Sequence, residues 1–405
     1  MRILLISDYA TPTGGAEHVM LGLRTALRER GHEVRFLAST ARPLGQESQA
    51  DYHCFGLMSK ARGLVQVWNP SAYRQLKSIL EEFQPDVVHV RLFLSQISPS
   101  ILPLLRHVPT IFHAAWYRTI CPLGTKLLPD GQDCHEAAGL ACVRHQCIPF
   151  YTLPTVTLQM WLTRRGWPAF DHVVANSHAT RQVLEEQGVP VDQVIWNGVV
   201  SSPQGQPDPR FPIVAFAGRL VWEKGTDLLI QAFARILPDI PHARLWIAGD
   251  GPERANLETL ATQLGIEASV DFLGMLPRDE MNRRFGVAWV QAVPSRWREP
   301  FGLVAAEALM RGTPALVSDS GGLAEIVEHG VTGCRTPSGD LPALTETLRN
   351  MLRDPVRLRQ MGLRARAFAL QNLDQRIFVD HFIDLYQALQ TPAHDLERAA
   401  KAVPQ

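Results

Sequence analysis

The sequence predicts an α/β protein with two Rossmann-like domains, each a doubly wound parallel sheet. Three observations carry this expectation. Short apolar runs alternate with amphipathic helical segments from Ile3 to Trp196. A second series of the same kind begins at Ile213 and continues past Ser318. Between them, residues 201–210 (SSPQGQPDPR) are polar and rich in Pro and Gly, the composition of a linker. The expected division is a first domain over 1–200, the linker, and a second domain over 211–372. A C-terminal helix over 373–390 is expected to return to the first domain, leaving a tail at 391–405.

Composition narrows the class further. The chain has 405 residues, 46% of them apolar, as ordinary globular proteins of two or three domains do. Lys plus Arg number 40 and Asp plus Glu number 40, so no global charge draws the chain to nucleic acid or anionic lipid. The apolar run Ile3–Ile6 is cut off by Asp8 and reads as a first strand rather than a signal peptide. No apolar stretch is long enough to cross a bilayer. The expectation is a cytoplasmic protein, with peripheral contact at the inner face of the membrane left open.

Taken in order, Ile3–Ser7 is a buried strand and DYATPTGG the loop after it. Residues 17–30 then form a helix with Val19, Leu23, Ala26 and Leu27 on one face. Gly14 and Gly15 stand at its entrance, where a backbone can approach a phosphate, or where the chain simply turns tightly. Strands follow at 34–38, 87–90 and 110–112, with helices over 73–83 and around Ile97, Ile101 and Leu104. His113 closes the 110–112 strand at the end where such sheets bind ligands.

Alternation breaks down over 117–170, a Cys-rich insertion whose second part, TLPTVTLQMWLTRRGWP, reads as a helix. That helix either covers the sheet or lies on a membrane surface. A strand at 173–175, a helix over 178–187 and a strand at 194–196 complete the first half. In the second half, strands are expected at 213–216, 244–248, 270–273, 287–290 and 315–318. Helices fall at 226–236, up to Leu264, and around 324–328 after the pair Gly321-Gly322.

Chemistry concentrates in PSRWREPFGLVAAEALMRG, residues 294–312. Glu299 precedes Pro300, a residue suited to a helix's first turn, and Glu307 follows eight residues later on a largely apolar helix. A carboxylate there is costly to bury unless it is paired or hydrogen-bonded. Sugar hydroxyls would serve, as would a salt bridge. The amides of Phe301, Gly302 and Leu303 suit an anion. Arg219 and Lys224 lie beyond the 213–216 strand, ahead of a helix N-terminus, where a diphosphate could be held by a fork and a point charge.

With these pieces in place the chain resembles a family 4 glycosyltransferase of the GT-B fold. The matching stretches are GGAEHVMLGLRTALRERGHEV, VVANSHATRQVL, NGV, AGRLVWEKGTDLLIQAF, IAGDGPE, VDFLG, PSRWREPFGLVAAEALMRGTP and SDSGGLAEIVEHGVTG, in the family's order. The resemblance implies two domains facing across a cleft. It also implies retaining transfer of a sugar from a nucleotide diphosphate donor, with no cofactor required for the chemistry. The acceptor would be a glycan, a lipid-linked saccharide or a small molecule, in cell-surface glycan or glycolipid assembly.

Carried onto this sequence, Arg219 and Lys224 would neutralise the leaving diphosphate. Glu299 would hold sugar hydroxyls near the amides of Phe301, Gly302 and Leu303, and Glu307 the ribose. Gly14, Gly15 and Gly249 would line the donor, and His113 would touch its sugar. Ala114 stands where many members have Asp, and Val200 replaces the common Asp after Asn197-Gly198-Val199. A non-catalytic sugar-nucleotide binder and a sugar-nucleotide epimerase are the competing readings.

Cys121, Cys134, Cys142 and Cys147 are separated by twelve, seven and four residues, looser than paired CxxC knuckles. They are expected to form one structural site for zinc or an iron–sulfur cluster. Free core thiols and two disulfides are the alternatives.

Overall fold

The computed structural model describes residues 1–59 and 62–391, so the expected tail lies outside the described residues from 392 onward. The chain divides into two compact units. One comprises Met1–Trp196 and the chain from Arg376 onward; the other is Asn197–Gln375.

The first unit runs β1 (Arg2–Ser7), α1 (Gly15–Glu29), β2 (Glu33–Ser39), β3 (Tyr52–Cys54), α2 (Arg62–Val67), α3 (Pro70–Phe83) and β4 (Val87–Leu92). It continues through α4 (Leu102–Leu105), β5 (Thr110–Ala114), α5 (Leu140–Arg144), α6 (Leu153–Gly166), β6 (His172–Ala175), α7 (His178–Glu185) and β7 (Gln193–Val194). The second unit runs β8 (Ile213–Ala217), α8 (Thr226–Ile236), β9 (Arg244–Ala248), α9 (Arg254–Gln263), β10 (Val270–Gly274), α10 (Arg278–Phe285) and β11 (Val290–Val293). Then come α11 (Leu303–Arg311), β12 (Ala315–Ser318), α12 (Leu323–Ile326), β13 (Gly333–Thr336), α13 (Leu341–Arg353) and α14 (Pro355–Asn372). The last described helix, α15 (Gln375–Ala388), packs in the first unit, its Phe382 ring 5.0 Å from that of His113.

Local chemistry sets these boundaries. Asn69 caps α3 by accepting from the amides of Ser71 and Ala72, with Pro70 supplying a preset φ, and Ser177 and Asp340 cap α7 and α13 in the same way. Strands β1 and β8 are apolar and buried almost throughout, as parallel strands covered on both faces must be. Phe216, Leu229, Phe233, Ile247 and Leu348 form the middle of the second unit's core.

Among the described residues both sheets are wholly parallel. Their strand orders are β3-β2-β1-β4-β5-β6-β7 and β10-β9-β8-β11-β12-β13. Each order reverses direction once, between β1 and β4 in the first sheet and between β8 and β11 in the second. Loops leaving the carboxyl ends of those strands diverge and leave a crevice, where open α/β sheets bind ligands.

Several expectations shift in detail. The strand expected at 287–290 pairs three residues later, Val290 against Val214, because the run VAWVQAV is apolar except for Gln291 and marks no register. The helix expected around Ile97–Leu104 reduces to a 3₁₀ turn, Pro99–Ile101, followed by α4. Helix α11 starts at Leu303, not at Pro300, because Gly302 takes φ 95°, outside helical dihedrals. Elements β3, α2, α10 and β13 carry too little apolar pattern to be read from sequence. Among the described residues no helix is long and apolar enough to cross a membrane.

Candidate active site

In the second unit the chemistry-bearing loops gather at the reversal point. After β8, the Gly218 amide donates to the Ala248 carbonyl at 3.0 Å and the Leu220 amide to that of Asp250 at 2.9 Å. Gly249 sits at φ 131°, where a Cβ would come within 1.8 Å of the Gly218 oxygen, so only glycine lets the two loops lie this close. Arg219 projects from this junction and is exposed.

Lys224 ends a 3₁₀ turn, Trp222–Lys224, just before α8. Gly225 at φ 67° brings that turn against the loop after β11, where a Cβ would lie 2.0 Å from the Pro294 carbonyl. Across this contact Lys224 Nζ donates to Glu299 Oε1 at 2.6 Å, and Ser295 Oγ donates to the same oxygen at 2.6 Å. The ammonium also lies 5.2 Å from the Trp297 ring centroid. Glu299 is only 7% exposed. Burial alone would raise its pKa, but the Lys224 charge and hydrogen bonds from Lys224, Ser295 and Trp297 outweigh burial and hold the carboxyl below its usual range. The same two loops are clamped by Arg296, whose guanidinium forks onto Asp227 at 2.6 Å on both oxygens and stacks 4.8 Å from the Trp222 ring.

The Glu299 loop leads into α11, whose first turn carries no acidic residue and whose Ala305 and Ala306 amides donate to the Gly302 carbonyl at 2.9 and 3.1 Å. Glu307, half-buried on that helix, pairs with Arg278 of α10 at 3.1 Å. Gly321 and Gly322 support the loop from below. A Cβ on Gly322 would fall 2.6 Å from the Phe301 Cα and 2.7 Å from the Pro300 oxygen, and the Gly322 amide donates to the Glu299 carbonyl at 2.8 Å. Gly322→Ala is therefore expected to destabilise the protein by about 1–3 kcal/mol through overpacking against backbone. Urea unfolding measures this, and an unchanged midpoint would show that the loop yields freely.

In the first unit, Gly14 precedes α1 and Gly15 opens it, with the Glu17 carboxylate folded back over Gly14. Asp8, just past β1, spans the reversal point by accepting from the amides of Ser95, Gln96 and Ile97 at 2.7–2.9 Å. His113 lies one residue before the end of β5 and is fully buried. Its ring meets Arg91 Nη1 at 2.7 Å and His89 Nε2 at 3.2 Å, and His89 Nδ1 in turn meets the Tyr386 hydroxyl of α15 at 2.6 Å. Burial, with the Arg91 charge adding to it, drives His113 well below the usual imidazole pKa and His89 down to about 3. Burial lowers Arg91 to about 9, with Glu17 acting against the shift, so it stays a buried cation at neutral pH.

All four clustered cysteines border one small cavity of about 20 Å³, together with His145. Among the described residues no three His, Cys, Asp or Glu side chains are grouped to share a metal ion. Instead the Cys134 and Cys147 sulfurs lie 3.9 and 3.8 Å from the carbonyls of Glu136 and His145. Burial raises the Cys142 and Cys147 thiols above their usual pKa, and the neighbouring cysteines add to it. The six cysteines are free thiols.

Reading the sequence for residue types missed the partners. Ser295 and Trp297 lay in plain view, four and two residues before Glu299, and that proximity was the available signal. Arg278, Asp227, Arg91 and His89 act on residues distant in the chain, and nothing local marks them.

Two Rossmann-like parallel-sheet units, with a Lys–Glu pair and an arginine at the second sheet's reversal point, define the GT-B glycosyltransferase fold. Residues 13–202 match the family described as Glycosyltransferase Family 4, and residues 201–368 match Glycosyl transferases group 1. The chain belongs to the family 4 glycosyltransferases.

Among curated proteins it is similar to a GDP-mannose-dependent α-(1-6)-phosphatidylinositol monomannoside mannosyltransferase of Mycolicibacterium smegmatis. The two are 35% identical over 171 residues, covering 41% of this chain and 45% of that protein. The matched stretches span between a quarter and just under half of the length of the curated relatives. Among solved structures, sucrose-phosphate synthase from Thermosynechococcus elongatus superimposes with TM-score 0.74 at 21% identity, covering 96% of this chain and 99% of that one. HepE of Anabaena in complex with UDP gives TM-score 0.69 at 20% identity, covering 96% and 100%. At these identities the likeness concerns the fold.

Proposed function

We propose that this chain is a hexosyltransferase that moves a sugar, with retention, from a nucleotide diphosphate donor to a saccharide, lipid-linked or small-molecule acceptor. The observation that carries the reading is the Lys224–Glu299 pair at 2.6 Å, its carboxylate buried, with Arg219 on the neighbouring loop, at the reversal point of the second sheet. The donor diphosphate lies against Arg219, Lys224 and the amides of Phe301, Gly302 and Leu303 ahead of α11. The sugar's hydroxyls donate to Glu299, and the ribose hydroxyls meet Glu307.

In the reaction the bond from the anomeric carbon to the phosphate oxygen breaks, and its electron pair leaves with the diphosphate. The acceptor hydroxyl attacks from the same face, and its proton passes to that phosphate. Arg219 and Lys224 stabilise charge as it develops on the leaving group, the electrostatic role that preorganised donors fill most effectively in a dry site.

Support comes from a GDP-mannose-dependent relative and from a structural neighbour solved with UDP, two different bases. The base of this chain's donor is accordingly the question for a panel. Release of nucleotide diphosphate from a panel of nucleotide sugars, without acceptor, tests the reading. Slow hydrolysis of one donor supports it, whereas binding without turnover favours a non-catalytic sugar-nucleotide binder. Glu307→Ala is expected to weaken nucleotide diphosphate binding about tenfold or more, the loss of a hydrogen bond to a charged group. Titration calorimetry reads this, and wild-type affinity in the variant would remove Glu307 from the ribose.

A further inference from the structure

Helix α6 buries two polar residues beside Met160 and leaves large apolar groups in water. The residues it turns inward include Gln159 and Thr163, 2% and 1% exposed. Gln159 Nε2 donates to the carbonyls of Gln66 and Leu94 at 2.8 and 2.7 Å, which fixes α6 against α2. The residues it turns outward include Leu158 and Trp161, the latter 53% exposed. Pro154, Leu158, Trp161 and Arg165 follow one another at i, i+4, i+7 and i+11, a single stripe along the helix, and all are exposed. Arg165 lies 5.5 Å from the Trp161 ring centroid.

The surroundings extend this stripe. Phe150 and Tyr151 lead into α6 at 73% and 80% exposed, and Leu64 and Trp68 on and after the adjoining α2 are exposed too. Monomeric soluble proteins rarely leave so many large apolar groups together in water.

Charge says what covers the patch. The chain as a whole is balanced, yet residues 137–170 contain no Asp or Glu and carry Arg164 and Arg165, besides Arg144, which pairs with Glu136 at 3.9 Å. Residues 62–80, which hold α2 and most of α3, likewise contain no Asp or Glu and carry Arg62 and Arg74, besides Lys77, which pairs with Glu81 at 3.9 Å. Arg144, Arg164 and Arg165 are exposed. Tryptophan and tyrosine settle at the headgroup level of a bilayer, and arginines beside them meet lipid phosphates. We infer that the α2–α6 surface of the first unit docks on an anionic lipid bilayer, seating Trp68, Phe150, Tyr151 and Trp161 at the headgroup boundary. The inference rests on this surface alone and stands independently of the donor chemistry.

Flotation of the full chain with lipid vesicles tests it. Vesicles of phosphatidylcholine with about one-third phosphatidylglycerol are expected to carry the protein upward, and pure phosphatidylcholine vesicles to carry far less. Raising salt from about 0.1 M to about 1 M shortens screening from about 10 Å to about 3 Å and should release much of it. Arg164→Gln with Arg165→Gln is expected to lower partitioning about 25-fold, each arginine counting for about fivefold. Tyr151→Ser with Trp161→Ser should lower it comparably through lost apolar insertion. These side chains are exposed, so both variants are expected to keep the wild-type melting temperature and donor hydrolysis, which separates lost docking from lost folding. Failure of the wild-type chain to float, equal flotation with neutral vesicles, or variants that float like wild type would each overturn the inference. So would a stable soluble dimer that these same variants disperse.

Discussion

If Lys224 stabilises the leaving diphosphate as proposed, Lys224→Ala is expected to lower the turnover of donor by roughly 10²–10³-fold, the usual cost of removing one preorganised charge-stabilising donor. The same change destabilises the folded protein by about 3–5 kcal/mol, because Glu299 is left as a buried carboxylate without its cation. The two effects separate by pH. With Lys224 present, the folded-state pKa of Glu299 lies below its ordinary value of 4.5. Its contribution to stability is present above that pH and is lost as pH falls through the folded value. Without Lys224, burial is the dominant influence and raises the carboxyl. The variant then recovers stability relative to wild type as pH falls toward 4.5. Chemical unfolding of both proteins across the acid range checks this, alongside single-turnover donor hydrolysis. Parallel pH profiles would mean that Lys224 does not set the charge state of Glu299, and unchanged turnover would remove it from the chemistry. Adding Glu299→Gln to Lys224→Ala should restore much of the stability and none of the turnover.

The first unit is expected to lose about 3 kcal/mol of stability between pH 6.5 and about pH 5, through His89 and His113. Both imidazoles are buried and held neutral, His89 with a pKa of about 3 against an ordinary 6.5. A base whose folded pKa is depressed contributes stability that is complete above its unfolded value and drains away as pH falls toward the folded one. In that window the unfolded chain takes up a proton that the native one refuses, at about 1.4 kcal/mol per pH unit for each histidine. Facing these rings are Arg91, the Tyr386 hydroxyl, and the rings of Phe378 and Phe382, none of which offers a negative charge to favour protonation. His89→Gln keeps hydrogen-bonding capacity toward Tyr386 and removes one titrating group, so it should halve the acid slope. Hydrogen exchange of the β4 and β5 amides measures the slope where the cluster sits. An unaltered slope in the variant would place the acid sensitivity elsewhere.

How much of the site could be read in advance differs by residue. Arg219 and Lys224 were legible because a cation beyond a parallel strand and ahead of a helix has few structural tasks. Glu299 and Glu307 stood out as carboxylates bordering an apolar helix. Their partners did not: Lys224 bonds Glu299 from 75 residues away, and Arg278 pairs with Glu307 from 29 away. The glycine pair at 321–322 was visible as a motif, yet its task of making room for the backbone of Glu299–Phe301 requires the packed loops to be seen. The four cysteines teach the opposite lesson. Their clustering in sequence predicted a metal site, and the fold does bring them to one cavity, but without a shared ligand geometry.

By itself, then, the sequence determined the alternation of strands and helices, the break near residue 200, and the family. These depend on period, turn chemistry and short motifs, all carried by neighbours in the chain. Tertiary structure alone decided strand order, and with it the reversal point that gathers the Arg219, Lys224 and Glu299 loops. It also decided which charges are paired and which histidines are neutral, and it turned α6 so that Gln159 faces inward while Trp161 meets water. The physical reason is range. Periodicity is a local property of the chain, whereas burial, ion pairing and pKa depend on atoms brought together from distant positions, which no local pattern encodes.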